Sequence, residues 1–242
     1  MGRKKILFEK NASEPFKLSR SKIELFVNCP RCFYLDRKLG ISGPPQFPFS
    51  LNNAVDVLMK KEFDIYRQNK KPHPLIKMAE INAIPLQNEL LDKWQDYHSG
   101  LQYLMKDLNI IVYGAPDDIW VTPKGEYIVV DYKATSSDKE INLDDEWKIS
   151  YKRQVEIYQW LLKQNGYKTY KMAYFVYANA LKTPDKFTNQ LIFETKILQY
   201  DGDISWVEKT IKEAYDCLCQ DYIPLAGKKC PLCEYVNKIK HI

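Results

Sequence analysis

No apolar run in the 242-residue chain approaches the roughly 20 residues that a bilayer-crossing helix needs. The basic first residues lead into Asn11-Ala12-Ser13-Glu14-Pro15 rather than an apolar segment, so no export leader is expected and the reading is cytoplasmic. There is no Gly-x-x-x-x-Gly-Lys-Ser/Thr, so no ATP-driven motor is expected in this chain. Neither His-Glu-x-x-His nor Gly-x-Ser-x-Gly occurs, which removes the zincin and nucleophile-elbow chemistries. Histidine is scarce, and His73, His98 and His241 fall outside every motif, as surface or capping residues would. Internal repeats and low-complexity linkers are also missing.

What remains is the composition of an ordinary globular protein, 45% apolar and 28% charged, with many Tyr and Phe. The length predicts one domain over 1–242, with residues 1–17 flexible and a small cysteine lobe built from 18–35 and 220–242. The net charge of +5 is a mild basic excess, compatible with a phosphate-rich partner. Arg3-Lys4-Lys5, Lys70-Lys71, Lys152-Arg153 and Lys228-Lys229 read as solvated surface.

Along the chain, Ser19 is an expected N-cap and Ile23, Phe26 and Val27 form an i, i+3, i+4 apolar face, ended at Cys29-Pro30. Gly40 to Pro48 reads as an irregular loop. A helix from Leu51 to Gln68 places Val55, Leu58, Met59 and Phe63 on one face, with Asp56 beside it. Leu86 to Met105 has a helical pattern interrupted at Ser99-Gly100. A polar loop from Thr135 to Glu146 precedes a helix from Tyr151 to Gln164, capped by Asn165-Gly166. Lys171–Tyr177 and Gln190–Ile197 alternate as strands, and a last helix starts at Asp203 or Ser205 and reaches Cys219. Helices, a hairpin, a helix and further strands predict an α/β or α+β domain around a small mixed sheet.

The hairpin is the stretch from Gly114 to Lys133. Ile119-Trp120-Val121 closes its first strand, Thr122-Pro123-Lys124-Gly125 has turn chemistry, and Tyr127-Ile128-Val129-Val130 leads the second. That strand ends on Asp131, Tyr132 and Lys133, with Asp131 and Lys133 on one face and Tyr132 on the other. An acidic residue two before a Lys also occurs at Asp36, Glu146 and Glu194, so the tripeptide alone reads as a solvated ion pair. The apolar run before Asp131 and the upstream Gly114-x-x-Asp117 set this copy apart. Folding the hairpin brings Asp117 near Asp131, and two such carboxylates repel unless a cation lies between them.

On the following helix, Gln154 and Tyr158 share a face at i and i+4. They read either as a pair reaching one site or as a polar residue over a packed ring. Cys29-x-x-Cys32 and Cys230-x-x-Cys233 supply four thiolates, which suit tetrahedral zinc or a cubane iron–sulfur cluster, the Cys-Pro-x-Cys spacing favouring zinc. Cys217 and Cys219 diverge on a predicted helix and read as packing residues.

Gly114-x-x-Asp117, Asp131-x-Lys133 after an apolar strand, and Gln154-x-x-x-Tyr158 together resemble the PD-(D/E)XK nuclease superfamily. The likeness is nearest to its RecB-like branch, which includes the CRISPR-associated RecB-like exonucleases. The opening Leu18-Ser-x-Ser-x-Ile, with Phe26, Cys29-Pro30 and Phe33-Tyr34-Leu35, is similar to the first helix of that branch. Asp56 stands where the branch usually has a metal-binding His. The resemblance implies a restriction-endonuclease-like core whose N- and C-terminal regions are joined by the cysteine site. It implies a hydrolase in which Asp56, Asp117, Asp131 and the Tyr132 carbonyl hold magnesium or manganese, Lys133 positions the attacking water, and Gln154 and Tyr158 steer the substrate. It also implies a 4Fe-4S cluster at the four cysteines, although the 2+2 arrangement departs from the one-plus-three pattern of the branch.

The expected substrate is DNA, single-stranded or at duplex ends, cut in an exonuclease-like way in repair, recombination or CRISPR and phage DNA processing. Proteins of DNA repair or CRISPR adaptation are the expected partners, with no membrane association. The alternatives are a nucleic-acid-binding or assembly module with an inactive nuclease site, for which Asp56 speaks, and a cysteine–metal scaffold unrelated to nucleic acid.

Overall fold

A computed structural model of the chain describes residues 6–45 and 50–240. In chain order the elements are β1 (Phe16–Ser19), α1 (Arg20–Asn28), α2 (Pro30–Arg37), α3 (Ser50–Gln68), α4 (Pro74–Met78), β2 (Ile84–Pro85), α5 (Leu91–Gln95), β3 (Leu101–Met105), β4 (Ile110–Gly114), β5 (Asp118–Val121), β6 (Tyr127–Thr135), α6 (Ile149–Gln164), β7 (Met172–Ala180), β8 (Phe193–Asp201), α7 (Val207–Cys219) and α8 (Pro231–Ile239). Their contacts divide into two units. One comprises 1–47, 102–113 and 205–242, and the other 48–101 and 114–204.

The first unit carries the sheet β1-β4-β3, with β1 and β4 parallel. Within the 1–17 stretch, Phe8 is buried edge-on to Phe16 and Tyr215, and residues 1–5 lie outside the described residues. Ser19 does precede the first turn of α1, but its hydroxyl pairs with that of Ser21 at 3.0 Å rather than with a backbone N–H. Ile23 is buried as expected, whereas Val27 is exposed. Of the Gly40–Pro48 loop, residues 40–45 are irregular and 46–48 lie outside the described residues, as does His241.

The second unit is built on the mixed sheet β2-β5-β6-β7-β8, in which β6 and β7 are parallel and the other pairs antiparallel. The expected hairpin is its centre. The Gly125 N–H bonds the Thr122 carbonyl at 2.9 Å, and Gly125 takes the positive φ of 74° that the turn requires. Strand alternation sorts the two faces. Trp120, Ile128, Val130, Tyr132, Tyr174, Val176 and Ala178 pack with Met59 and Phe63 of α3. Asp131 and Lys133, one residue out of phase, face α6, whose Val155, Ile157, Tyr158, Leu161 and Leu162 are all buried. Leu58, expected on the inner face of α3, is instead exposed.

The helical reading of Leu86–Met105 is overturned. Only α5 is helical there, and β3 follows. Gly100 has a φ of 60°, and a Cβ on it would lie 2.7 Å from the Gly114 carbonyl oxygen, so the chain turns sharply just before β3. Asn109, at a φ of 52°, then lets β3 and β4 pair back to back, which local apolar spacing could not foretell. His73 is buried and stacks on Phe63 at 4.1 Å, its ring nitrogen accepting the Leu75 N–H at the start of α4, so it caps but is not a surface residue.

Candidate active site and cysteine centre

Gly114 ends β4 and Ala115-Pro116 carries the chain to Asp117, one residue ahead of β5. There the Asp117 carboxylate accepts the backbone N–H of Tyr132 at 2.9 Å, between Asp131 and Lys133 on the partner strand. Asp131 is fully buried and ion-paired with the Lys133 ammonium. Burial pulls Lys133 down, but Asp131 and Asp117 outweigh it and hold its pKa above 10.5. The ammonium also lies 4.4 Å from the centre of the Tyr151 ring at the start of α6. It is therefore a fixed positive charge.

Asp56 arrives from α3. One turn on, Lys60 bonds it at 2.9 Å and approaches Asp117 at 3.7 Å. Burial and the Asp117 charge raise the Asp56 carboxyl, against Lys60 and Lys133, and the two carboxylates raise Lys60 against its own burial. The carboxylates of Asp56, Asp117 and Asp131 are thus held by two ammoniums; among the described residues, only the cysteines gather three ligand atoms closely enough for one ion. As donors, the three carboxylates are hard oxygens suited to magnesium or manganese.

Asp118, next to Asp117, is a different kind of residue. It is completely buried and accepts Arg67 at 2.7 Å, the Tyr132 hydroxyl at 2.8 Å, the Trp120 indole N–H at 3.1 Å and its own following N–H at 2.8 Å. Burial pushes its carboxyl up and Arg67 counters it. This knot fixes the strand end from which Asp117 projects.

Gln154 and Tyr158 are buried and bonded to each other at 3.3 Å, so the structure brings this pair together. Tyr151, three residues before Gln154, shares their helical face and touches Lys133. Tyr177, the β7 register partner of Lys133, has a buried hydroxyl without a hydrogen-bond partner among the described residues. Burial, then Tyr151 and Asp131, raise its pKa. Sequence reasoning missed Lys60, Tyr151, Asp118 and Tyr177. Only Lys60 and Tyr151 carried a signal, being one turn from Asp56 and Gln154.

In the other unit, both Cys-Pro-x-Cys motifs adopt one local design. Cys29 and Cys230 are the N-caps of α2 and α8, each with Pro in the first turn and the second Cys two residues further on. Sulfur–sulfur distances are 3.7 Å for Cys29–Cys233, 3.6 Å for Cys32–Cys230 and 3.6 Å for Cys32–Cys233. All four are free thiols whose sulfurs lie within 4.8 Å of one another. Burial pushes the Cys29 thiol up, but the N–H groups of Gly227 and Cys32, at 3.2 and 3.4 Å from its sulfur, bring it down to about 7. The donor set fits a thiophilic metal. Cys217 is a buried packing residue, its thiol pushed up to about 11 by burial.

No protein of curated function matches the sequence. Among solved structures, the crystal structure of SSO0001 is similar over 88% of this chain and 81% of that one, at 15% identity and a TM-score of 0.36. The model of the PD-(D/E)XK nuclease superfamily matches residues 51–237, which contain Asp56, Asp117, Asp131, Lys133, Gln154 and Tyr158. The chain belongs to the PD-(D/E)XK nuclease superfamily.

Proposed function

We propose that the protein is a divalent-metal-dependent deoxyribonuclease of the RecB-like kind, acting at DNA ends in repair, recombination or processing of invading DNA. The observation that carries this reading is Asp117 held on the backbone of the very strand that presents Asp131 and Lys133. Asp56, Asp117 and Asp131 would hold magnesium or manganese, which when bound polarises the scissile phosphate and acidifies a water. Lys133, kept protonated by its two carboxylate neighbours, stabilises negative charge on the phosphate. Tyr151 limits where that ammonium can go, and Gln154 with Tyr158 orients the backbone of the strand.

At the cysteines we favour zinc. Thiolates about 2.3 Å from one tetrahedral ion have sulfur–sulfur edges of about 3.8 Å, close to the 3.6–3.7 Å of Cys29–Cys233, Cys32–Cys230 and Cys32–Cys233, with all four sulfurs within 4.8 Å of one another. A cubane puts each thiolate on its own iron and spreads the sulfurs further apart. The site would staple the first helices to the last.

A second reading, a binding or assembly module with a silent nuclease site, draws on Lys60, whose ammonium sits against Asp56 and Asp117. Cleavage of end-labelled single- and double-stranded DNA with magnesium or manganese, beside Asp131→Asn and Lys133→Ala, separates the two. Products that vanish in both variants support the nuclease. Binding without cleavage by the wild type supports the module.

A further inference from the structure

The turn that leads into α6 carries an aromatic side chain that nothing above uses. Trp147 is 60% exposed, whereas Trp94, Trp120 and Trp160 are buried. A single exposed hydrophobic residue is ordinary. Two features set Trp147 apart.

Its backbone is pinned on both sides. The Lys148 N–H bonds the Asp145 carbonyl at 2.9 Å, and the buried Lys148 ammonium holds the Asn142 carbonyl at 2.8 Å and the Asp145 carboxylate at 2.7 Å. The Ser150 hydroxyl donates to the Trp147 carbonyl at 3.0 Å. The Lys148 ammonium also lies 5.2 Å from the centre of the Trp147 ring, so the indole rests against one cation on a pinned turn with most of its surface in solvent, and less ordering remains to be lost when something stacks on it.

The second feature is position. The Trp147 ring lies edge-on to Tyr151 at 5.3 Å, and Tyr151 in turn lies against the Lys133 ammonium at 4.4 Å. One ring separates the exposed indole from the cation assigned to the scissile phosphate. In a polynucleotide, a phosphate and a neighbouring base are separated by one sugar, a comparable reach. Inside a duplex a base has both faces stacked on its neighbours and offers none to an indole; an unpaired strand offers a face at every base, a blunt end only at its last pair.

We propose that Trp147 is a stacking residue for the unpaired base beside the scissile phosphate, and that it biases the site toward single-stranded or frayed ends. The inference rests on the nuclease reading for the place of the phosphate.

The test compares wild type, Trp147→Ala and Trp147→Phe for binding of fluorescein-labelled oligothymidine and of a blunt duplex in chelator, and for cleavage of both with manganese. Trp147→Ala should weaken single-strand binding roughly tenfold or more, with duplex binding and melting temperature unchanged. Trp147→Phe, which keeps a stacking face, should restore most of the loss. If wild type cleaves and Trp147→Ala binds and cuts the single strand equally well, the stacking role is wrong while the nuclease stands. If oligothymidine binding depends on Trp147 but nothing is cut, stacking stands and the nuclease reading falls. Equal loss on duplex and single strand, or no single-strand binding by the wild type, overturns the proposal.

Discussion

The backbone N–H of Tyr132 donates to the Asp117 carboxylate at 2.9 Å, across the hairpin that the two residues share. Asp117 is therefore aimed by main chain, and one of its oxygens is left toward Lys60. An amide can accept the same N–H but carries no charge. Asp117→Asn should fold with stability within about 1 kcal/mol of wild type yet lose about 100-fold or more in metal-dependent cleavage. Wild-type cleavage by this variant would remove Asp117 from the site.

Lys60 competes with any cation for Asp56 and Asp117. Lys60→Gln frees both carboxylates, so manganese should bind about tenfold more tightly, the worth of one close charge interaction. Titration of manganese by electron paramagnetic resonance reads this directly. Unchanged affinity would mean that the ammonium swings aside without cost, and weaker affinity would make Lys60 a contributor to the site.

The Arg67–Asp118 pair is buried, and breaking one side leaves an uncompensated charge. Arg67→Ala should cost about 3–5 kcal/mol in urea unfolding. Tyr132→Phe, which removes one of the donors to Asp118, should cost about 1–2 kcal/mol. A larger effect for Tyr132→Phe than for Arg67→Ala would reverse the roles assigned to them.

The hairpin, its turn and the faces of Asp131 and Tyr132 were legible in the sequence because they depend on period-two alternation and a four-residue turn. Asp117 could be picked out by its spacing from Gly114, but the part its neighbour Asp118 plays in holding the strand end could not. That part depends on Arg67, 51 residues earlier, which reaches only one of the two. The acidic-x-Lys motif was ambiguous for a similar reason: Asp36 is also buried and paired, with Lys22 at 2.7 Å, yet belongs to none of the nuclease motifs. The β3–β4 pair was invisible because Gly100 and Asn109 act through backbone geometry, while the apolar spacing of 86–105 mimics a helix. The four cysteines were legible as a set, but the spacing between sulfurs, which bears on the choice of metal, required coordinates.

Tyr177 offers a test of its surroundings. A buried hydroxyl without a partner costs folding energy, so Tyr177→Phe should leave stability unchanged or raise it by about 1 kcal/mol. A drop of that size would reveal a bond that the hydroxyl makes through water.

Lys133 sets a pH signature. Its pKa is raised in the folded chain above 10.5, so its pairing stabilises the fold fully below the unfolded value and is lost only as pH climbs through the folded one. The stability gap between wild type and Lys133→Gln should be constant from neutral pH to about 10, then narrow. A gap that closes near pH 8 would mean that Lys133 loses its proton there and could serve as a base.

Gly227 closes the cysteine centre. Its N–H bonds Cys29 sulfur at 3.2 Å, and a Cβ on it would stand 2.1 Å from the Asn28 carbonyl oxygen, which is backbone and cannot swing away. Gly227→Ala must displace the irregular segment that leads into α8 and so delivers Cys230 and Cys233. Purified wild type should be colourless with one zinc per chain, and Gly227→Ala should retain less zinc and melt at least about 5 °C lower. Chelation should lower wild type toward the variant, because a metal that joins α2 to α8 binds the folded chain far better than the unfolded one. Zinc content and melting equal to wild type would show that the glycine is dispensable. A brown protein carrying iron would overturn the zinc assignment while leaving the four-cysteine centre in place.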